Sequence, residues 1–417
     1  MISFTQQMNY FGQSNPQELA QIYGTPLYVY NESILRKQMR NAARLISVPG
    51  FTANYSIKTN SNLSILRIAC EEGLNADAMS PGEIFVLLKA GFPKERIFYV
   101  SNNVSDQELQ FAIDHQIMTS LDSLSQLRRF GKLNPGGRCS VRLNPGIGAG
   151  HHEKVVTAGK KTKFAIAESD VPEIFRIAQQ YDLHIVGVNQ HIGSLFMDGT
   201  PFLSAVKHFL ELALQFDELE FVDFGGGFGI PYHKLSGEKE FDLPKFGKEL
   251  DLVVKDFTRQ YGREIVFKSE PGRYIAAEGG VLLGTVHSKK QNSGVTYVGT
   301  DVGMNVLVRP SMYDSWHDIE VYRKGELVSG TDGVESVTVV GNICETGDIL
   351  AKERELPVIQ EEDILCILDA GAYGYSMSSN YNNRLRPAEV LIDLEGNHRL
   401  IRKRDTLEDL ISCFPDA

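Results

Sequence analysis

Eight short apolar runs, each followed by a helix-period segment, occupy residues 51–272, and no other feature of the sequence narrows the fold as far. The runs are FTANYSI (51–57), LNADA (74–78), RIFYV (96–100), IMTSL (117–121), RCSVRLN (138–144), LHIVGVNQH (183–191), LEFVDFG (219–225) and EIVFKSE (264–270). Strands joined through helices pair in parallel, and a parallel sheet needs helices over its faces. Eight repeats match the count of a closed (β/α)8 barrel, whose closure leaves no edge; an open doubly wound sheet is the alternative. The helix starts are marked chemically. Ser80-Pro81-Gly82-Glu83 supplies an N-cap, a first-turn proline and a capping-box glutamate, Ser105 with Glu108 repeats the box, and Thr200-Pro201 opens FLSAVKHFLELALQF.

After Gly280 the pattern changes. VLLGTVHS, VTYVGT, DIEVYR, VESVTVVGN, DILCILDAG and AEVLID alternate at strand period between Gly, Asn and Asp turns, which predicts an antiparallel all-β domain. TPLYVY (25–30) reads as a further strand and SILRKQMRNAARLI (33–46) as a helix leading into the barrel. The expected division is a barrel over 33–280 and a β domain built from 1–32 and 281–417, with KLSGEKEFD (234–242) as an exposed loop.

Composition removes several roles. Lys plus Arg number 42 against 53 Asp plus Glu, and the net charge of -11 has the wrong sign for gripping nucleic acid or anionic membranes. No apolar run approaches the roughly 18 residues of a membrane helix, and MISFTQQMNYFGQSNPQ lacks the regions of an export signal, so a cytoplasmic protein is expected. The 5 cysteines show no C-x-x-C spacing, and His151-His152-Glu153 has no i, i+4 spacing, so neither a disulfide framework nor a metal site is expected.

Reactive groups of a parallel barrel gather at the C-terminal ends of its strands. There the sequence places Lys58, Asp77, His191, Gly225-Gly226-Gly227 and Glu270-Pro271-Gly272-Arg273. A lysine at the mouth of an apolar barrel is desolvated, which favours the neutral amine that condenses with a carbonyl; a lone lysine is more often structural. Gly-Gly-Gly-Phe-Gly after a strand lets backbone N–H groups close on an anion, although such glycines also serve tight turns. A carboxylate at Glu270 can keep a pyridine nitrogen protonated, Arg273 can reach a phosphate or carboxylate, and His191 can stack on a flat ring. Singly, each reads as a salt bridge or a satisfied core residue. Five such groups at five strand ends argue for one site.

YSIKTN (55–60), HIGS (191–194), GGGFG (225–229), EPGR (270–273), CETGD (344–348), GAYGYSMSSNYN (371–382) and RPAEVL (386–391) resemble, in order, the signatures of the fold-type III pyridoxal-phosphate decarboxylases. The likeness runs from YGTPLYVY (23–30) nearly to the C-terminus. It implies a barrel of the alanine-racemase-like type with a β domain, pyridoxal 5'-phosphate as cofactor, and a homodimer with two shared active sites. By the same resemblance Lys58 would bond covalently to the cofactor and His191 would stack on its ring. Ser194 and Gly225, Gly226 and Gly227 would hold its phosphate with the backbone of Gly272 and Arg273. Glu270 would pair with the ring nitrogen, and Asp77 and Tyr373 would complete the cofactor set. Arg273, Arg309 and Tyr313 in VRPSMYDSWHDI, Glu345 and Tyr373 would meet the substrate, with Cys344 as proton donor. Cys344 and Glu345 would reach into the partner's barrel.

Residue types narrow the reaction. An anion at Glu270 keeps the ring an electron sink and favours decarboxylation over racemisation, for which alanine racemases use an Arg at this place. A cysteine thiol is protonated at neutral pH yet can release its proton, although a free cysteine is more often a small buried hydrophobe. A diamino diacid has a distal carboxylate and a distal ammonium, which Arg309 and Glu345 can take together. With the resemblance this implies, as the expected reaction, meso-diaminopimelate to L-lysine and carbon dioxide, the last step of lysine biosynthesis. A decarboxylase of carboxynorspermidine or of a D- or L-basic amino acid stays open, as does a non-catalytic cofactor-binding relative, against which the intact Lys58, Glu270 and Cys344 speak. The ornithine enzymes of this fold resemble one another in placing an Asp after the cysteine, where this chain has Glu345. Ala165 in TKFAI where the family usually has Gly, HIGSLF for HIGSQ, and Leu385 for Pro in NNRLRP depart from the pattern.

Overall fold

The computed structural model describes residues 3–146, 162–331 and 333–415, and His151-His152-Glu153 lies outside them. The chain divides into two compact units: one comprises the residues through Lys37, Pro231–Lys239 and those from Ala276 on, the other Gln38–Ile230 and Glu240–Ile275.

In the second unit every predicted strand is present: Thr52–Ser56, Asn75–Ala78, Ile97–Val100, Met118–Leu121, Arg138–Asn144, His184–Asn189, Phe221–Asp223 and Val266–Ser269. Each pairs in parallel with the next, and the last returns to the first with Lys268 beside Thr52 and Ser269 beside Ala53. The sheet is a closed barrel, and the open alternative is excluded. The helices lay apolar stripes on it. Leu243–Tyr261, for example, buries Leu243, Phe246, Leu250, Val254 and Phe257, the three-to-four-residue spacing of one helix face.

The caps differ in detail from expectation. Ser105 and Glu108 form the predicted reciprocal box, whereas the Glu83 carboxylate accepts the Met79 N–H, one residue ahead of the Ser80 cap. The helix Thr200–Ala213 begins on Thr200 itself, whose N–H is taken by Asp198. Two of the noted departures fall on left-handed backbone, Ala165 at φ 72 and Leu195 at φ 61, where a glycine would be unstrained.

The other unit is built on a 10-stranded sheet. Leu27–Asn31, Gly280–Asn292, Val295–Thr300, Ile319–Arg323, Val334–Val340, Ile364–Ile367 and Ala388–Ile392 fall on predicted runs. The sheet is mixed rather than wholly antiparallel. Leu27–Asn31 runs parallel to Ala388–Ile392, and Val295–Thr300 parallel to Val334–Val340. These pairs are not joined by hairpins, so connectivity does not force them antiparallel. Ile349–Pro357 escapes the sequence reading because its outer face is charged: Lys352, Glu353 and Glu355 are exposed while Ala351, Arg354 and Leu356 are buried. The run 234–242 is exposed at 236–240, but its start is anchored, with Lys234 Nζ 2.7 Å from both Glu278 and Asp369 and over the Phe4 ring.

Among the described residues no helix is long and apolar enough to cross a membrane, and no group of three or more His, Cys, Asp or Glu could hold a metal ion.

Candidate active site

The turn Ile57–Thr59 follows the first barrel strand directly and carries a half-buried Lys58 at the C-terminal mouth. On the next strand Asp77 is fully buried; Ser56 Oγ donates to its Oδ2 at 3.1 Å, and its Oδ1 meets no donor among the described residues. Burial pushes the Asp77 carboxyl well above the ordinary range and Glu270 adds to the rise, against the pull of Lys58.

Glu270 follows the eighth strand, is 4% exposed, and its Oε1 meets no donor among the described residues. Burial and then the neighbouring Asp223 raise its pKa, opposed by Lys58, Arg142 and Lys268. Asp223 is also raised by burial, and its two oxygens accept the Gly225 N–H at 2.8 Å and Asn54 Nδ2 at 3.1 Å. Lys268 lies in register beside Asp223, its ammonium 3.8 Å from the Phe221 ring centre.

His191 Nδ1 accepts the Gly226 N–H at 3.3 Å, which leaves the ring proton on Nε2. Burial, with Lys58 and Arg142 adding to it, holds its pKa well below the ordinary value, so the imidazole is neutral and flat. The glycine run passes close to the Glu270 backbone: a Cβ on Gly226 would stand 1.9 Å from the Glu270 carbonyl oxygen, and Gly227 has φ +112. Arg273, 6% exposed and next to Gly272, donates to Ser194 Oγ from Nε at 3.3 Å and from Nη2 at 3.1 Å.

This set fits pyridoxal phosphate. The unpartnered, buried Glu270 oxygen calls for a cationic N–H donor, which a protonated pyridine nitrogen is. A glycine run admits a phosphate to backbone distance, and Lys58 supplies an amine for an aldehyde. Asp223, Lys268 and Arg142 escaped the motif reading. Each is a charge within a barrel strand, FVD, VFKS or RCSVRLN, and a charge in the middle or at the end of a strand covered on both sides is the signal that could have found them.

The buried carboxylates make a pH prediction. In the cofactor-free protein Glu270 keeps its proton until about pH 8, whereas in the unfolded chain it ionises near about 4.3. Between those values unfolding releases a proton, so stability falls as pH rises. His191 has the opposite sign, being neutral when folded, and lowers stability only as pH drops below about 6.5. From about pH 6.5 to 8 the melting temperature of the cofactor-free protein is expected to decline by several degrees, at about 2–4 °C per kcal/mol. Asp77 and Asp223, whose carboxyls burial also raises, add slope of the same sign, so scanning calorimetry of Glu270→Gln should show the slope reduced but not abolished; an unchanged slope removes Glu270 as a contributor.

In the other unit Cys344 is exposed on the loop between Val334–Val340 and Ile349–Pro357. Asp348 ties the loop base by accepting the Met304 N–H at 2.6 Å and the Ile343 N–H at 2.7 Å. The Cys344 N–H donates to Asn382 Oδ1 at 3.0 Å, Asn382 Nδ2 donates to Cys344 Sγ at 3.2 Å, and the Tyr381 hydroxyl donates to Glu345 Oε1. Arg309 is 1% exposed, bonded through Nη1 to His317 Nε2 at 2.8 Å and through Nη2 to Ser315 Oγ at 3.3 Å, and lies 4.8 Å from the Tyr232 ring centre. Tyr313 and Tyr373 are half-buried, Tyr373 at φ 58. The barrel mouth thus holds Lys58, Asp77, His191, Ser194, Gly225 to Gly227, Glu270, Gly272 and Arg273, and the β unit holds Arg309, Tyr313, Cys344, Glu345 and Tyr373.

A parallel barrel whose strand ends gather a lysine, a glycine run and a buried glutamate is the framework of an enzyme that uses pyridoxal phosphate. The chain belongs to the pyridoxal-dependent decarboxylase family, whose pyridoxal binding domain matches residues 32–277, and pyridoxal 5'-phosphate is its cofactor. The diaminopimelate decarboxylase of Methanothermobacter thermautotrophicus is 43% identical over 409 residues, covering 96% of this chain and 94% of that protein. The crystal structure of diaminopimelate decarboxylase from Helicobacter pylori complexed with L-lysine matches with a TM-score of 0.86 at 33% identity, over 95% of this chain and 98% of that one. The lysine/ornithine decarboxylase of Vibrio vulnificus complexed with cadaverine shares the fold, with a TM-score of 0.78 at 18% identity over 90% of this chain and 95% of that one.

Proposed function

We propose that this protein decarboxylates meso-diaminopimelate to L-lysine and carbon dioxide. The observation that carries the chemistry is the unpartnered, buried Glu270 oxygen at a barrel mouth that also holds Lys58. The substrate is supported by likeness along the whole chain to diaminopimelate decarboxylases.

Bound pyridoxal phosphate supplies an electron sink for the pair left when carbon dioxide departs. The chain supplies the rest. Lys58 would hold the cofactor through its amine, the place that the substrate's amino group would take. Glu270 keeps the ring nitrogen positive, and the neutral His191 covers the ring face without competing charge. Ser194, the Gly225–227 backbone and the backbone of Gly272 and Arg273 grip the phosphate, with Asp77 and Tyr373 completing the cofactor's surroundings. Arg273, Tyr313 and Tyr373 position the substrate, Glu345 takes the distal ammonium, and Arg309 takes the distal carboxylate after giving up Ser315. Cys344 gives a proton to the carbon that has lost carbon dioxide.

The proposed assembly is a cytoplasmic homodimer in which Cys344 and Glu345 serve the partner's barrel; the exposure of Cys344 supports it. Mixing inactive Lys58→Ala and inactive Cys344→Ala subunits should then restore about a quarter of wild-type activity, since half the dimers are hybrids with one intact site of two. No recovery after demonstrated subunit exchange would place both residues in one chain's site.

The burial of Arg309 favours one alternative, a basic amino acid without a distal carboxylate. Carbon dioxide release from a panel of diamino acids separates the two. meso-Diaminopimelate should be consumed with L-lysine accumulating, and L-lysine itself should be inert. Arg309→Ala should lower kcat/KM for the diacid by about one to two decades more than for ornithine, the equivalent of roughly 1.5–3 kcal/mol for a contact to a charged group. Equal losses, or a wild type that prefers a monocarboxylate, overturn the substrate and leave decarboxylation standing.

A further inference from the structure

Asn382 lies outside every motif role assigned above, yet its side chain touches Cys344 twice. We propose that Asn382 is the positioning residue for Cys344, fixing the rotamer from which the thiol delivers its proton; the inference rests on the reading of Cys344 as proton donor. The Cys344 N–H donates to Asn382 Oδ1 at 3.0 Å. Only the amide oxygen can accept, so this bond settles the amide's orientation. Nδ2 is then the atom 3.2 Å from Sγ, and it donates to the sulfur.

A thiol on an exposed loop otherwise samples several rotamers, and holding one is an entropic loss that some contact has to offset. Here a single amide grips both the backbone and the sulfur of one residue. With a sulfur lone pair engaged by Nδ2, the S–H bond points away from Asn382. In the transfer the S–H bond breaks, a C–H bond forms at the carbon that has lost carbon dioxide, and the electron pair stays on sulfur. The Asn382 N–H then faces a thiolate, and a hydrogen bond to an anion is stronger than one to a neutral thiol. The contact therefore tightens as the proton leaves, which is the kind of interaction that raises kcat. A solvent proton restores the thiol for the next turnover, so each turnover consumes one proton, and the hydroxide left when water supplies it is taken up by the released carbon dioxide as bicarbonate.

The backbone is shaped for this task. Asn382 has φ 56 and ψ 25, left-handed values that asparagine adopts more readily than most residues. Its neighbours brace the same loop: Arg384 Nη2 donates to the Asn342 carbonyl at 3.1 Å, and the Tyr381 hydroxyl donates to Glu345 Oε1.

Two variants separate the contacts. Asn382→Asp keeps the shape and the acceptor for the Cys344 N–H but offers no N–H to the sulfur. Asn382→Gly removes the side chain and leaves the backbone free to hold its φ. Turnover of holoenzyme in heavy water reads the proton's route, because the reacting carbon takes up one deuteron. Wild type should label one face of that carbon. Both variants should lose about tenfold or more in kcat with KM within about twofold, and should label both faces as solvent competes with a misdirected thiol. A crystal structure of Asn382→Asp should show Sγ in more than one rotamer. An Asp variant with wild-type kcat, one-face labelling and a single Sγ rotamer overturns the proposal. Cys344→Ala run alongside distinguishes the two levels: if it too leaves kcat and labelling unchanged, the donor reading itself falls; if it destroys one-face labelling while the Asn382 variants match wild type, the role of Asn382 alone falls.

Discussion

Lys58→Ala is expected to remove at least about three decades of decarboxylase activity and, with it, all cofactor that borohydride can fix to the protein. Lys58 sits on a three-residue turn at the end of the first barrel strand, half-buried and close enough to Asp77, Glu270 and His191 to shift the titration of each. Another lysine would have to enter the same mouth to replace it. Lys268, half-buried like Lys58, lies on the eighth strand over Phe221 and beside Asp223, where burial lowers its pKa against the pull of Asp223 and Glu270. Peptide mapping after borohydride reduction of the wild type checks the assignment, and a label on any other lysine would sink it.

Glu270→Gln should come next in size, with a loss of about two to four decades in kcat while the cofactor stays attached through Lys58. Glutamine keeps the volume and one acceptor oxygen but has no charge, so the positive ring nitrogen loses its buried counter-ion. Breaking a buried pair in this way costs about 3–5 kcal/mol, and each decade in rate corresponds to about 1.4 kcal/mol. Absorbance of the reconstituted variant distinguishes this outcome from simple loss of cofactor. A Glu270→Gln enzyme within threefold of wild type, where threefold is about 0.6 kcal/mol, would remove the carboxylate from the mechanism.

The two experiments probe residues of different legibility. Lys58 and Glu270 stand in short runs, YSIKTN and EPGR, whose chemistry can be argued from residue type and strand position. Asp223 and Lys268 do not. They belong to FVD and VFKS, strands that share no motif and lie far apart along the chain, and they meet because the seventh and eighth strands pair in parallel with Lys268 in register with Asp223. Asn382 stands within GAYGYSMSSNYN, but nothing in SSNYNNR says which amide will turn back on Cys344.

Local rules were enough for the parallel strands, since eight apolar runs separated by capped helices leave parallel pairing as the only short-range solution and every run became a strand, but the closure that sets the eighth strand beside the first was the structure's to decide. They were also enough to place a lysine, a glycine run and a glutamate at strand ends. Tertiary structure alone decided the rest. It set Leu27–Asn31 parallel to Ala388–Ile392, because strands more than three hundred residues apart carry no hairpin to dictate direction. It drew Pro231–Lys239 out of the barrel sequence into the β unit through the Lys234 ion pairs with Glu278 and Asp369. It buried Arg309 against His317 although the sequence suggests an arginine open to substrate. Periodicity and caps act over a few residues and can be read along the chain, whereas the burial of a charge depends on which distant side chains fill the space around it.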